Sequence, residues 1–253
     1  LYQVEPLGVV IPASTDDPVR ALRFCAERNL PILPRGGGTS LAGQCTNRAV
    51  VLDLSPNCRR VLHIDAAARR VRVEPGITVD ELNETLAPTG LFFPPDPATS
   101  RHANIGGCIG NNAAGARSIR YGRTSESVVS IDACLADGER VHLGPCAGEH
   151  NPRVRALTER VADVVRRHER LIRERYPKTV RRNAGYGLDM ILAQLDAAGV
   201  RDYSRPLPPH AIDRLNLAPL LCGSEGTLAV TLGAELALVP KPAARGLACV
   251  GFT

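Results

Sequence analysis

At 253 residues the chain is long enough for one large domain or two small ones built around a real hydrophobic core. Its 44% hydrophobic and 23% charged residues are globular in character, and no apolar run reaches the ~18–20 residues of a membrane span. The net charge of +5 is carried almost wholly by Arg, but with no Trp, four Phe and five Tyr there is little surface for base stacking, which argues against a nucleic-acid partner.

The opening LYQVEPLGVV lacks the basic-then-apolar pattern of a secretory signal, and it starts on Leu1 rather than Met, so a piece of a longer chain is expected. Val9, Val10 and Ile11 read as a strand stopped by Pro12. Ser14 or Thr15 is expected to cap a helix with Asp16 and Asp17 in its first turn, where acids suit the positive end of the dipole. Val19, Leu22, Phe24, Cys25 and Ala26 give this helix an apolar side, and Asn29 ends it. Pro31, Ile32 and Leu33 form a second strand that leads directly into PRGGGTSLAGQ (34–44). The stretch Val50–Leu54, apolar but for Asp53, reads as a strand buried on both faces.

Val61–Asp65 and Arg70–Glu74 read as two joined strands. Thr78 and Glu81 then form a capping box for a helix over Val79–Ala87. Two Pro/Gly/Asn-rich stretches follow, FFPPDPATS (92–100) and NIGGCIGNNAAG (104–115). Strands return at Val128–Leu135 and Arg140–Leu143 around an Asp137-Gly138 turn. Residues 152–176 read as one helix, with Val154, Leu157, Val161, Val164, His168, Leu171 and Ile172 on its apolar face and His168 packed there. Asp163/Arg167 and Glu169/Arg173 are i,i+4 pairs, so the Arg-rich face reads as solvated. A polar, Pro-rich linker is expected over 201–214, then a strand-rich tail over Leu228–Val239.

The eight cysteines show no C-x-x-C spacing, which argues against a zinc or iron–sulfur site in this chain and for reduced thiols. The glycine run after the second strand can bring backbone N–H groups close to an anion. Two nucleotide templates fail on it: Gln44 and Cys45 stand where a P-loop needs Lys and Ser/Thr, and Leu41 stands at the third glycine of G-x-G-x-x-G.

The glycine run has company. PRGGGTSLAGQ, PPDPATS, IGGCIGNNAAG and LCGSEGTLAV, in this order and spacing, resemble the PCMH-type FAD-binding domain of the vanillyl-alcohol oxidase/p-cresol methylhydroxylase superfamily over essentially the whole chain. SIRYGRTSESV (118–128), RRNAGYGLDMIL (181–192) and GSEGTLAVTLGAELALVPKP (223–242) look like the flavoproteins that oxidise D-2-hydroxy acids such as D-lactate and D-2-hydroxyglutarate, in long forms fused to an iron–sulfur module.

The resemblance implies an α+β fold with FAD lying between two α+β subdomains, divided here as 1–56 and 57–253. Carried over, Arg35, Gly36, Gly37, Gly38, Thr39, Ser40, Gly43 and Gln44 would wrap the pyrophosphate and ribityl chain. Pro95, Asp96, Thr99 and Ser100 would lie by the flavin ring or its chain. Gly106, Gly107, Asn112 and Gly115 would press on the cofactor, and Glu225, Gly226 and Val230 would return to it. Thr39 occupies the place where some members carry a flavin-linking His, so non-covalent FAD is expected. Of the six histidines only His102 falls near the expected flavin position, and no catalytic residue or metal site is assigned.

The substrate Arg, metal-binding His residues and acid/base His of the resembled enzymes belong to a cap domain expected beyond GLACVGFT. The implied partners are a small 2-hydroxy acid and an iron–sulfur module or other electron acceptor. The implied location is cytoplasmic, with peripheral attachment at the inner membrane open for the full-length protein. Competing readings are another reaction on this fold, such as UDP-N-acetylenolpyruvylglucosamine reduction or aldonolactone oxidation, and a non-enzymatic basic binding module.

Overall fold

The computed structural model describes residues 3–179, 181–244, 246 and 248–251. Gly8–Val10 (β1), Ile32–Arg35 (β2) and Val50–Asp53 (β3) form a parallel sheet in the order β1-β3-β2, with Asp17–Glu27 (α1) crossing from the first strand to the second. The helix starts later than the Ser14/Thr15 cap implies. Asp16 holds the N-cap position without a side-chain bond, and the Asp17 carboxylate reaches back to the N–H groups of Ala13 and Ser14 at 2.9 and 3.3 Å.

Val19, Leu22 and Cys25 bury the inner face of α1, whereas Phe24 is exposed beneath the Arg28 guanidinium. The strand expected to be buried on both faces is covered on one. Leu52 is fully buried, Val50 and Val51 are half-buried, and Val9 and Ile11 beside them are 57% exposed.

Val61–Asp65 (β4) and Arg70–Val73 (β5) form the expected hairpin, and Thr78 with Glu81 makes the capping box of Val79–Leu86 (α2). Leu91–Phe92 (β6) follows. The Gly/Asn-rich stretch then forms a helix, Ile105–Asn111 (α3), although three of its seven residues are glycine. Each glycine disfavours helix by about 1 kcal/mol relative to Ala. Burial of Ile105, Cys108 and Ile109 overrides that preference.

Two single turns, Ser118–Tyr121 (α4) and Thr124–Ser127 (α5), lead to the hairpin Val128–Cys134 (β7) and Arg140–Leu143 (β8). Residues 152–176 are two helices, Pro152–Arg167 (α6) and Glu169–Arg175 (α7), broken at His168 (φ −113°, ψ 15°). The buried stripe is rotated from the expected one: it runs Val154, Thr158, Ala162, Val165 and Ile172, leaving Val164, Leu171 and His168 exposed. Thr158 can be buried because its hydroxyl donates to the Val154 carbonyl at 2.8 Å.

Leu188–Ala197 (α8) buries Ile191, Leu192 and Leu195. The stretch read as a linker is irregular and largely exposed over 201–208, yet it is docked on the core through Tyr203, Leu207 and Ile212 and contains a short helix. Tyr203 Oη donates to Asp196 Oδ1 at 2.8 Å, and Pro209–Asp213 (α9) and the following residues bury Ala211 and Leu215. Ala218–Leu221 (α10) precedes the long strand Val230–Ala237 (β9) and Val239–Pro240 (β10), which pairs with β6.

Strand β9 inserts between β5 and β7, giving an antiparallel sheet β4-β5-β9-β7-β8. Opposite Gly233 the β7–β9 register slips, so Val230 and Leu232 face one side while Ala234 and Leu236 face the other. The first side packs with Cys134 against Val19, Leu22, Leu52 and Cys58, joining α1 and the parallel sheet to the larger sheet. The second side packs on α2, α3, α6 and α8 around Leu82, Phe93, Ile105, Ile109 and Leu195. Each such fully buried side chain contributes about 1.5–3 kcal/mol. No helix among the described residues is long and apolar enough to cross a membrane.

Candidate functional site

A parallel sheet exposes its connecting loops at the carboxyl ends of its strands, where ligands gather. Here β2 runs into Gly36–Cys45. A Cβ at Gly36 would stand 2.9 Å from Asn104 Oδ1, and one at Gly37 would stand 1.9 Å from the His102 carbonyl oxygen. Gly38 has φ +65°, with the Arg35 guanidinium folded over it. The loop main chain therefore lies flat on segment 102–104, a path only glycine can follow. Among the described residues, none of the N–H groups from Gly37 to Cys45 finds an acceptor. Consecutive unpaired N–H groups beside an arginine favour an anion.

Facing the loop is α3. Gly106 packs against Pro75, where a Cβ would come within 2.7 Å, whereas a Cβ at Gly107 would meet nothing within 4 Å. The third wall is the turn 223–226. Glu225, at φ 50°, donates its N–H to the Gly110 carbonyl at 2.9 Å, and its carboxylate accepts from Asn111 Nδ2 at 2.8 Å. Gly223 (φ +92°) lies so close to the carbonyls of Asn183 and Gly185 that a Cβ would reach 2.7 Å from each.

The RRNAGYG segment is thus pressed onto this turn, and Arg123 holds it there. Arg123 is 9% exposed, forks onto Glu126 at 2.6 and 3.1 Å, and donates to the Arg182 carbonyl. Burial pushes the Glu126 carboxyl up, but hydrogen bonds and charge from Arg123, with a bond from Ser125, outweigh it and leave the group below its ordinary value.

Between these walls lies a cleft of about 440 Å³. Arg35, Gly36, Gly37, Gly38, Thr39, Ser40 and Gln44 line it from the loop, Gly106 and Gly107 from α3, Thr99 from the PDPATS segment, and Glu225 and Gly226 from the turn. The other candidates support the lining from outside it. Gly43 (φ +87°) accepts from Thr46 in a turn. Pro95 is buried, Asp96 pairs with Arg117, and Gly115 packs directly on the Asp96 backbone. Ser100 turns the chain by accepting from Asp80 N–H. Asn112, in the left-handed region at the end of α3, accepts the Ser125 N–H on its side-chain Oδ1 at 3.0 Å.

Val230 faces the core, and its neighbour Thr231 lines the cleft instead, as the two-residue period of a strand requires. Asn104, Asn111 and Asn183 also line the cleft, and no sequence pattern marks them for it. Asn183 sits inside RRNAGYG, but only tertiary packing brings it here. None of the six histidines lines the cleft; the imidazole of His102 is exposed while its carbonyl backs Gly37.

The donor set fits FAD. One wall offers unpaired N–H groups for a pyrophosphate. Gln44 Oε1, Asn104 Oδ1 and Asn183 Oδ1 are side-chain oxygens shut off from water with no donor among the described residues, a state that buried polar atoms rarely keep. A flavin dinucleotide carries both phosphates and hydroxyl or N–H donors, and the empty space over Gly107 leaves room for it beside the helix.

Comparison with known proteins agrees. Residues 6–144 match the family model described as FAD binding domain. D-2-hydroxyglutarate dehydrogenase of Pantoea ananatis is 34% identical over 97% of this chain, and that of Escherichia coli K12 is 33% identical over 100%. The chain spans about a quarter of the length of these relatives, 23% and 24%. Glycolate oxidase subunit GlcD of Bacillus subtilis is 35% identical over 56% of the chain and 31% of its own length. An alkyldihydroxyacetonephosphate synthase structure shares the fold, with a TM-score of 0.61 at 19% identity over 93% of this chain and 32% of that one. The chain belongs to the FAD binding domain family.

Proposed function

We propose that this chain is the FAD-binding part of a flavin-dependent D-2-hydroxy-acid dehydrogenase, with the cofactor held non-covalently in the 440 Å³ cleft. The observation that carries this reading is the meeting, in one cleft, of loop N–H groups and three amide side-chain oxygens that find no partner among the described residues, in a chain 34% identical to a D-2-hydroxyglutarate dehydrogenase.

When bound, FAD would supply, at its N5, the acceptor for the hydride removed from C2 of the hydroxy acid. The chain's own part is positioning. Arg35 and the N–H groups of Gly37–Ser40 would hold the pyrophosphate, and Gly106 and Gly107 would allow the helix to approach it closely. Glu225, tied to Asn111, keeps the 223–226 turn against α3. The chain divides near residue 57 into the parallel-sheet unit that carries the loop and the antiparallel unit that carries α3.

In this reading the base that removes the hydroxyl proton and the groups that orient the acid belong to the cap domain that the resemblance implies. Electrons pass on to a downstream acceptor, an iron–sulfur module in the arrangement the sequence resembles. The protein works in the cytoplasm, with any membrane association peripheral.

The test is the absorbance spectrum after refolding with FAD and removing free cofactor. A band near ~450 nm, the mark of oxidised flavin, supports the reading, and its absence refutes it. The isolated 253 residues are expected to turn over D-lactate and D-2-hydroxyglutarate poorly or not at all. Robust turnover by them would refute the placement of the base elsewhere.

A further inference from the structure

Arg123 stands at the N-cap of α5, and the residues that follow it are bonded to the end of α3. Thr124 donates its N–H and its hydroxyl to the Ala113 carbonyl at 3.0 and 2.9 Å, and Ser125 N–H reaches Asn112 Oδ1 at 3.0 Å. The Arg123 N–H is taken by Glu126 Oε2 at 2.7 Å. The main chain of Arg123 is therefore fixed to the wall of the cleft that α3 builds.

Its guanidinium reaches a different wall. Glu126 takes the Nε and Nη2 edge, which leaves Nη1 aimed at the Arg182 carbonyl, 59 positions further on. Arg182 is itself held, its side chain donating to Asp189 Oδ2 at 2.5 Å and lying 4.8 Å from the centre of the Tyr176 ring. The next residue, Asn183, lines the cleft, with its main-chain carbonyl against Gly223 and its Oδ1 buried without a donor among the described residues. Bonds thus run unbroken from α3 through Arg123 to a carbonyl one residue from that carboxamide. A neutral donor would cover the Arg182 carbonyl at less desolvation cost than a buried cation. What the guanidinium adds is a rigid plane that joins Glu126 and Arg182 at once.

We propose that Arg123 is a positioning residue for the cofactor: it braces the α3 wall against segment 182–183 and so fixes where the Asn183 carboxamide meets FAD. The inference rests on the FAD reading of the cleft. Arg123 does not itself line the cleft, so it acts through Asn183 and not by touching the cofactor.

A double-mutant cycle tests it. Arg123→Lys keeps the charge beside Glu126, so the fold is kept, but one ammonium cannot replace the planar fork that spans both partners. Its affinity for FAD, read by flavin fluorescence, should fall about five-fold, the scale of one hydrogen bond. Asn183→Ala should lose about the same factor, and the double variant should also lose about five-fold rather than about twenty-five-fold, because both changes remove one contact. Val165→Ala, in the core under α6 and away from the cleft, controls for stability: Tm should drop while FAD affinity holds. Unchanged affinity in Arg123→Lys or in Asn183→Ala, or losses that multiply in the double variant, would overturn the proposal. An equal loss in Val165→Ala would overturn it as well, since the effect would then be one of stability alone. Wild-type protein that binds no FAD would instead overturn the cofactor reading itself.

Discussion

Gly107 separates the requirements of the fold from those of the ligand. It sits inside α3, where glycine is about 1 kcal/mol worse than Ala, and an added Cβ would meet nothing within 4 Å. Gly107→Ala should therefore stabilise the ligand-free protein by up to about 1 kcal/mol, a rise of roughly 2–4 °C in Tm for a chain of this size. Gly107→Leu keeps most of that helix gain, because its side chain enters the cleft and not the core. The same side chain occupies space the cofactor needs. Overpacking of this kind costs about 1–3 kcal/mol, or roughly 5- to 150-fold in Kd.

Gly106→Ala, one residue earlier, provides the contrast: its Cβ would lie 2.7 Å from Pro75 Cβ, so it should lower Tm. Thermal unfolding without ligand and fluorescence titration with FAD read the two effects separately. A folded Gly107→Leu protein that binds FAD as tightly as wild type would refute the placement of the cofactor against α3.

Three further outcomes are expected. With Thr39 beside the loop glycines and no histidine in the cleft, acid precipitation of the FAD-loaded protein should release all the flavin; a yellow pellet would contradict non-covalent binding. Cys45 lines the cleft and is half-buried, whereas Cys108 and Cys222 are buried, with thiols pushed up to about 12 by desolvation. Alkylation mapped by mass spectrometry should therefore show Cys45 protected by FAD, Cys249 reactive with or without it, and Cys108 and Cys222 inert in both states. Arg123→Gln should cost about 1–3 kcal/mol near neutral pH, with the ionic share at the low end because Glu126 is partly exposed. Since the folded value of Glu126 lies below its ordinary 4.5, the ionic share is fully present above pH ~4.5 and fades as pH falls through the folded value. Urea midpoints measured from pH 7 downward should converge in that range, leaving the residue due to the lost Arg182 carbonyl bond.

Much of the architecture was legible from local signals. The capping box at Thr78–Glu81, the turn at Gly138 and the strands flanking it, and the parallel strands around the glycine loop all stand where short-range pattern placed them. Local signals failed where packing decided. Three glycines hid α3, since its stability comes from Ile105 and Ile109 in the core and not from propensity. A hydroxyl hid Thr158 from the buried stripe of α6, and prolines hid the short helix α9 at the end of the stretch read as a linker.

The residue order by itself marked the glycine loop as an anion site, because consecutive glycines free backbone N–H groups, and the cofactor class followed from the resemblance of the glycine runs, PPDPATS and GSEG to PCMH-type FAD-binding domains. What it left open was which side chains face the cleft. Val230 and Thr231 are adjacent in sequence, yet a register slip opposite Gly233 and the two-residue period of a strand send one to the core and the other to the cofactor side. Asn104 and Asn183 reach the cleft through contacts with Gly36 and Gly223, made across gaps of 68 and 40 positions in the chain. Such contacts depend on how the two sheets stack, and stacking is settled by the summed burial of the whole core, a quantity no short stretch of sequence contains.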